Sequence, residues 1–195
     1  MGLDIDIISA AQKGKASAQE TIYDLYSSAM LGVCARYCRN LADAEDVLQD
    51  GFFKAFTKMS KSRFETVPSF SAWLKRIMIN TALNHIRAQK KNLFIDEWND
   101  NLESSDMTYE DSSDSNIGIS QKEILKMIQS LPDGYRTIFN LFVIEKYSHQ
   151  DIAVALGISV NTSKTQLFKA RKILQQKIKE QQAKKETIYL INNAL

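Results

Sequence analysis

The stretch Ser148–Leu167 reads SHQDIAVALGISVNTSKTQL. It opens with Ser148 and Asp151 in the spacing S-x-x-D. At a helix start, a hydroxyl and an acid three residues apart can satisfy each other's unpaired backbone N–H groups. Ile152, Ala155 and Leu156 follow as an apolar face at helical spacing. Gly157 suits the left-handed conformation that ends a helix. Ile158 is expected to pack into the corner and Ser159 to cap a second helix. In that helix Val160, Leu167, Ala170, Leu174 and Ile178 fall on the inward side. Asn161, Thr162, Lys164, Thr165, Phe168, Lys169, Arg171 and Lys172 are left to face outward.

Two short helices meeting at Gly-Ile-Ser make the pattern of a helix-turn-helix. Amides and hydroxyls at the start of its second helix can bond to base edges in a major groove. Lysines and arginine further along can meet phosphates. Between Asn161 and Lys185 there are eight Lys/Arg and one acidic residue. A helical hairpin with a solvated basic face would show the same charge. The capped first helix and the Gly-Ile-Ser turn favour DNA binding.

The chain as a whole divides into three blocks. It has 195 residues, 44% apolar and 25% charged, with only 7 Gly and 2 Pro. That composition suits a soluble, helical protein of one large or two small domains. No run of about 18 apolar residues exists, so no spanning helix or membrane insertion is expected. The start, MGLDIDIISAAQKGK, lacks the basic then apolar order of a secretory signal, which points to the cytoplasm. Cys34 and Cys38 are expected to be packed, reduced thiols.

Residues 1–91 read as a helical domain. Ile22, Leu25, Tyr26, Ala29 and Val33 recur at helical spacing. A break follows at Arg39–Leu41, after which Asp43 is expected to cap a new helix with Asp46 in the capping-box position. Ala44, Val47, Leu48, Gly51, Phe52, Ala55, Phe56 and Met59 form its apolar stripe. Its other side carries Glu45, Asp46, Gln49, Asp50 and Phe53. A solvated helix face would look the same, and on this feature alone it is the favoured reading. As a binding surface, such an acidic face suits a basic protein partner, with Phe53 as an apolar anchor, better than it suits DNA.

After a polar loop ending at Pro68, a third helix is expected from about Ser69 to about Lys90, with Phe70, Trp73, Leu74, Ile77 and Ile86 inward. Arg76, Asn80, Asn84, Arg87 and Lys91 recur at three- and four-residue spacings on the opposite side. The loop adds Lys61, Arg63 and Phe64. Basic side chains interleaved with aromatics suit single-stranded DNA, whose bases stack and whose phosphates need neutralising.

Residues 92–119 contain eight acidic residues and no Lys or Arg, and read as a flexible acidic linker. Residues 120–180 read as a second helical domain, followed by a tail, 181–195, that periodicity leaves unassigned. The fold class is therefore all-α, with two small helical domains.

The motifs DAEDVLQDGFFKAF and FSAWLKRIMINTALNHIR resemble region 2 of bacterial RNA polymerase sigma factors of the extracytoplasmic-function type. The segment LPDGYRTIFNLFVIEKYSHQDIAVALGISVNTSKTQLFKARKIL resembles sigma region 4. The resemblance covers nearly all of residues 4–180. It implies a transcription initiation factor whose partners are core RNA polymerase, promoter DNA and an anti-sigma factor. Promoter DNA would be duplex at the minus-thirty-five element and single-stranded at the minus-ten element. Glu45, Asp46, Gln49, Asp50 and Phe53 would dock polymerase. Lys61, Arg63, Phe64, Arg76, Asn80, Asn84 and Arg87 would serve the minus-ten element, with the loop Lys61–Val67 holding a flipped base. Asn161, Thr162, Ser163, Lys164, Gln166, Lys169 and Arg171 would serve the minus-thirty-five element.

No phosphate loop, zinc motif or nucleophile–histidine constellation is present in the sequence, so no catalytic residue, metal or cofactor is expected. Two other readings remain. One is a helix-turn-helix regulator acting without polymerase, and the other is a helical adaptor that does not bind DNA.

Overall fold

A computed structural model describes residues 3–89 and 119–194. The chain forms two compact units, Met1–Lys91 and Asn92–Leu195. Among the described residues there are helices and no strand. The expected acidic linker, 92–119, lies almost wholly outside the described residues, as does Lys91.

The first unit packs four helices: α1 (Ile5–Gln12), α2 (Ala16–Tyr37), α3 (Leu41–Met59) and α4 (Val67–Gln89). The α3 stripe is inward as its spacing predicts, with Ala44, Val47, Leu48, Gly51, Phe52, Ala55 and Met59 buried and Phe56 half-buried. Gly51 lets α3 approach α4 closely, since a Cβ there would collide with Met78 Sδ.

Three local expectations for this unit are corrected. In α2 the buried stripe is rotated toward Met30, Val33, Cys34 and Tyr37, leaving Leu25 and Ala29 exposed. Neighbours on more than one side select that face, and spacing alone cannot choose between adjacent stripes. The cap of α3 is Asn40, not Asp43: Asp43 N donates to Asn40 Oδ1 at 2.8 Å. In α4 the helix starts at Val67 and takes in Pro68. Proline is tolerated there because first-turn N–H groups have no intrahelical acceptor. Thr66 caps this start, its Oγ1 accepting from Ser69 N at 3.3 Å.

Phe70, Leu74, Met78, Ile79, Ala82, Leu83 and Ile86 are buried from α4, whereas Trp73 and Ile77 are half-buried. Both cysteines are free and buried. Burial, and then the neighbouring Cys38, push the Cys34 thiol up to about 12, so it stays protonated and unreactive.

The second unit contains α5 (Gln121–Gln129), α6 (Asp133–Phe139) continued by a π-helical turn (Asn140–Ile144), α7 (His149–Leu156) and α8 (Val160–Ala194). Ser120 and Glu123 form a capping box at α5, and Ser148 and Asp151 form another at α7. Gly157 ends α7 with φ +67°. Ser159 Oγ accepts from Thr162 N at 2.9 Å, the expected start of α8.

Ile152 and Leu156 are buried, but Ala155 is exposed, so the inward face of α7 is narrower than its sequence suggests. Leu131, Ala170 and Leu174 form a core with Met127, Tyr135, Phe139 and Ile173. Arg136 is a member of the interior that periodicity does not flag. Its guanidinium pairs with Asp133 at 2.5 Å and donates to the carbonyls of Leu131 at 2.9 Å and Gln129 at 3.0 Å. It therefore closes the α5–α6 corner. The tail that periodicity leaves unassigned is helical through Ala194, since α8 runs unbroken from Val160.

Candidate nucleic-acid interface

Each unit presents its own charged surface. On α3, Glu45, Asp46, Gln49, Asp50 and Phe53 are all exposed, and Phe53 is 72% exposed despite its size. This follows from the buried stripe on the other side of the same helix. Asp50 is paired with Lys54 at 2.5 Å, which leaves Glu45 and Asp46 as the acids of the face without an ion-pair partner among the described residues. Beside it lies an open groove of about 360 Å³ between α2 and α3, lined by Tyr23, Ser27, Leu31, Glu45, Leu48 and Gln49. The sequence reading missed this groove. The α2 contribution becomes visible only once its register is fixed.

Arg76, Asn80, Asn84 and Arg87 are all exposed along one side of α4. Arg87 Nη1 donates to Asn84 Oδ1 at 3.0 Å, which fixes the orientation of that amide and leaves its NH₂ group outward-facing. In the preceding loop Lys61 and Arg63 are exposed. Phe64 is half-buried, its ring edge-on to Phe70 at 5.2 Å and to Trp73 at 4.9 Å. The ring anchors the loop on α4, and its remaining exposed part adjoins half-buried Trp73. The loop and the α4 stripe thus belong to one packed assembly.

In the second unit the sequence-derived set divides. Asn161 and Lys164 are exposed at the start of α8, and Thr162, Lys169 and Arg171 are partly exposed. Ser163 and Gln166 are not on the outward face: they are 0% and 6% exposed. They fall on the side of α8 that packs inward, one turn before Leu167 and Ala170.

Ser163 Oγ hydrogen-bonds to His149 Nδ1 at 2.9 Å, joining α8 to the first residue of α7. His149 stacks on Phe142 of the π-helical turn, with ring centroids 4.3 Å apart. Arg171 lies 6.0 Å from the centre of the same Phe142 ring. Burial, and then the charges of Lys164 and Arg171, hold the His149 pKa below the ordinary imidazole value. This cluster sets the α7–α8 angle, and the sequence reading did not assign it.

No group of three or more His, Cys, Asp or Glu among the described residues is placed to hold a metal ion. No helix among them is long and apolar enough to cross a membrane.

These features match a defined class. Residues 22–92 match the family model Sigma-70 region 2, and residues 121–174 match Sigma-70, region 4. The chain belongs to the sigma-70 family. Its relatives narrow the class further. It is 29% identical to the ECF RNA polymerase sigma factor SigW of Bacillus subtilis, covering 89% of this chain and 95% of that one. It is 28% identical to the RNA polymerase sigma-H factor of Pseudomonas aeruginosa, covering 88% and 91% of the two chains. With these relatives over nearly its full length, it is a sigma factor of the ECF type. In fold it resembles the sigma factor RpoE of Bartonella quintana, solved in complex with the anti-sigma factor NepR. That likeness has a TM-score of 0.50 at 21% identity and covers 82% of this chain and 96% of the other.

Proposed function

We propose that this chain binds core RNA polymerase and directs it to specific promoters. The observation that carries this reading is the opposed chemistry of two neighbouring helices. The exposed face of α3 is acidic with a protruding Phe53, and the exposed stripe of α4 is basic and amide-rich. A protein partner fits the first and nucleic acid fits the second. A repressor that used only its helix-turn-helix would need neither.

In this reading Glu45, Asp46, Gln49, Asp50 and Phe53 dock polymerase. Arg76, Asn80, Asn84 and Arg87, with Lys61, Arg63 and Phe64, hold the melted minus-ten strand. Extruding a base costs a few kcal/mol, which stacking and hydrogen bonding must offset. Asn161, Thr162, Lys164, Lys169 and Arg171 serve the minus-thirty-five duplex, while Ser163 and Gln166 support the helix from within. Residues 1–91 and 120–180 act as the two DNA-binding domains, with 92–119 as their tether.

The chain acts in the cytoplasm, where polymerase and promoters are. It is not itself an enzyme, because polymerase supplies the chemistry. The α2–α3 groove, next to the docking face, is the expected seat of an anti-sigma factor. Holoenzyme reconstitution tests the reading. The folded chain is expected to co-elute with cognate core, and Phe53→Ala to weaken that association about tenfold, the range of a modest interface anchor. Absence of co-elution by the folded wild-type chain contradicts it.

A further inference from the structure

The turn between α1 and α2 is Lys13-Gly14-Lys15. Gly14 has φ +81°, a conformation in which a side chain would be strained. Lys15 N donates to Ala10 O at 3.1 Å, and Gln19 Nε2 to Ala11 O at 3.3 Å, so the turn is closed from both sides. Gln12, the residue just before it, reaches across to the α3–α4 connection. Its Nε2 donates to Met59 O at 2.9 Å and to Ser62 O at 2.7 Å. Both amide hydrogens are used, and both acceptors belong to the end of α3 and the start of the loop.

Those two hydrogen bonds tie the turn, with its two lysines, to the start of the loop that carries Lys61 and Arg63. Lys13, Lys15, Lys58, Lys61 and Arg63 are all exposed. None has an ion-pair partner among the described residues, whereas Lys54, one turn back on α3, is held by Asp50. The acids of α1, Asp4 and Asp6, lie at its opposite end. The acids nearest in sequence, Glu65 in the loop and Glu20 on α2, are exposed and form no ion pair with these cations among the described residues. Like charges held together repel one another, and a polyanion relieves that cost.

We propose that the Lys13-Gly14-Lys15 turn is a phosphate-contact site for the single strand taken by the α3–α4 loop. The proposal rests on the minus-ten reading above and extends it to α1, which that reading leaves without a role. A lysine ammonium is a point charge without base preference, so the contact is to the backbone and independent of sequence. Gln12 positions the turn, and the two lysines touch the ligand.

The test uses the full chain and a fluorescein-labelled oligothymidylate about 20 nucleotides long, with affinity read by anisotropy across a potassium chloride series. Lys13→Ala/Lys15→Ala is expected to bind several-fold more weakly at low salt. The slope of log K against log salt should be shallower by about 1.4, since each phosphate contact to a single strand contributes about 0.7. Lys13→Arg/Lys15→Arg is expected to keep the wild-type slope, and all three proteins the same melting temperature. An unchanged slope in the alanine variant, in a chain that co-elutes with core, overturns this inference alone. A wild-type chain that binds neither core nor oligonucleotide overturns it together with the reading beneath it.

Discussion

Gln181 Nε2 donates to Glu123 Oε1 at 2.9 Å, joining residues 58 apart in sequence. Lys185 Nζ reaches the other oxygen of the same carboxylate at 3.2 Å. Glu123 also accepts from Ser120 N at 2.7 Å as the acid of the α5 capping box. One side chain therefore starts α5 and ties it to the late turns of α8. The bonds from Ser120, and then those from Gln181 and Lys185, lower the Glu123 pKa from 4.5 to about 2.

A depressed carboxylate contributes stability above its unfolded pKa and loses it as pH falls through its folded one. The stability of the second unit should therefore decline between about pH 4.5 and pH 2 as Glu123 protonates. Glu123→Gln is expected to melt lower at neutral pH and to flatten this part of the profile. Truncation after residue 180 should also lower the melt but flatten the profile only in part, because it removes both α8 partners and leaves the larger Ser120 bonds. Thermal melts across that pH range check both.

The buried Arg136–Asp133 pair leads to a second expectation. Removing one partner leaves the other charge buried and uncompensated, so Arg136→Ala should destabilise the second unit by about 3–5 kcal/mol. The guanidinium also serves the Leu131 and Gln129 carbonyls, which a smaller side chain abandons. Arg136→Met with Asp133→Leu should recover part of the loss, since no charge is then stranded. Urea denaturation of the three proteins measures this.

His149 makes the helix-turn-helix sensitive to mild acid. Its folded pKa is lowered, so the unfolded chain takes up the proton first and stability falls as pH drops below the ordinary imidazole value of 6.5. The groups facing it are Phe142, Ser163, Lys164 and Arg171; the last two carry positive charge that opposes protonation. His149→Phe keeps an aromatic ring against Phe142 and is expected to lose the acid-sensitive component. Melts of wild type and variant between pH 7 and pH 5 should separate, with the wild type falling faster.

Exposed and buried positions of α8 should respond differently. Lys164→Ala is expected to reduce the salt slope of minus-thirty-five duplex binding by about 0.9, the value of one phosphate contact. Asn161→Ala should relax base choice at one position, at a cost of about 1–3 kcal/mol if its amide reads a base edge. Ser163→Ala should leave the salt slope unchanged and lower the melting temperature, because the side chain is buried against His149. Holoenzyme titrations on one duplex at several salt concentrations distinguish the three.

The helix-turn-helix was legible because its signals are local. Ser148, Asp151, Gly157 and Ser159 each act within a few residues, and each occupies its expected position. The α3 and α4 faces were legible because one side of each is strongly apolar. What the sequence hid depends on contacts between distant residues. The α2 register is chosen by its neighbours, the α8 extension by Glu123, and the burial of Ser163 by His149. Ser163 and Gln166 entered the expected minus-thirty-five set through family resemblance, although helical spacing, four residues before Leu167 and Ala170, leaves them off the outward face.

An acidic, Phe53-bearing face and a basic α4 stripe would together let this chain recruit polymerase and open promoters. Run-off transcription on genomic DNA fragments, with cognate core and purified chain, tests it most directly. Discrete transcripts are expected that require the chain, that weaken with Phe53→Ala, and that disappear on linear DNA with Asn80→Ala/Arg87→Ala. Tight duplex binding by the chain alone, with no chain-dependent transcript from any fragment, would contradict it.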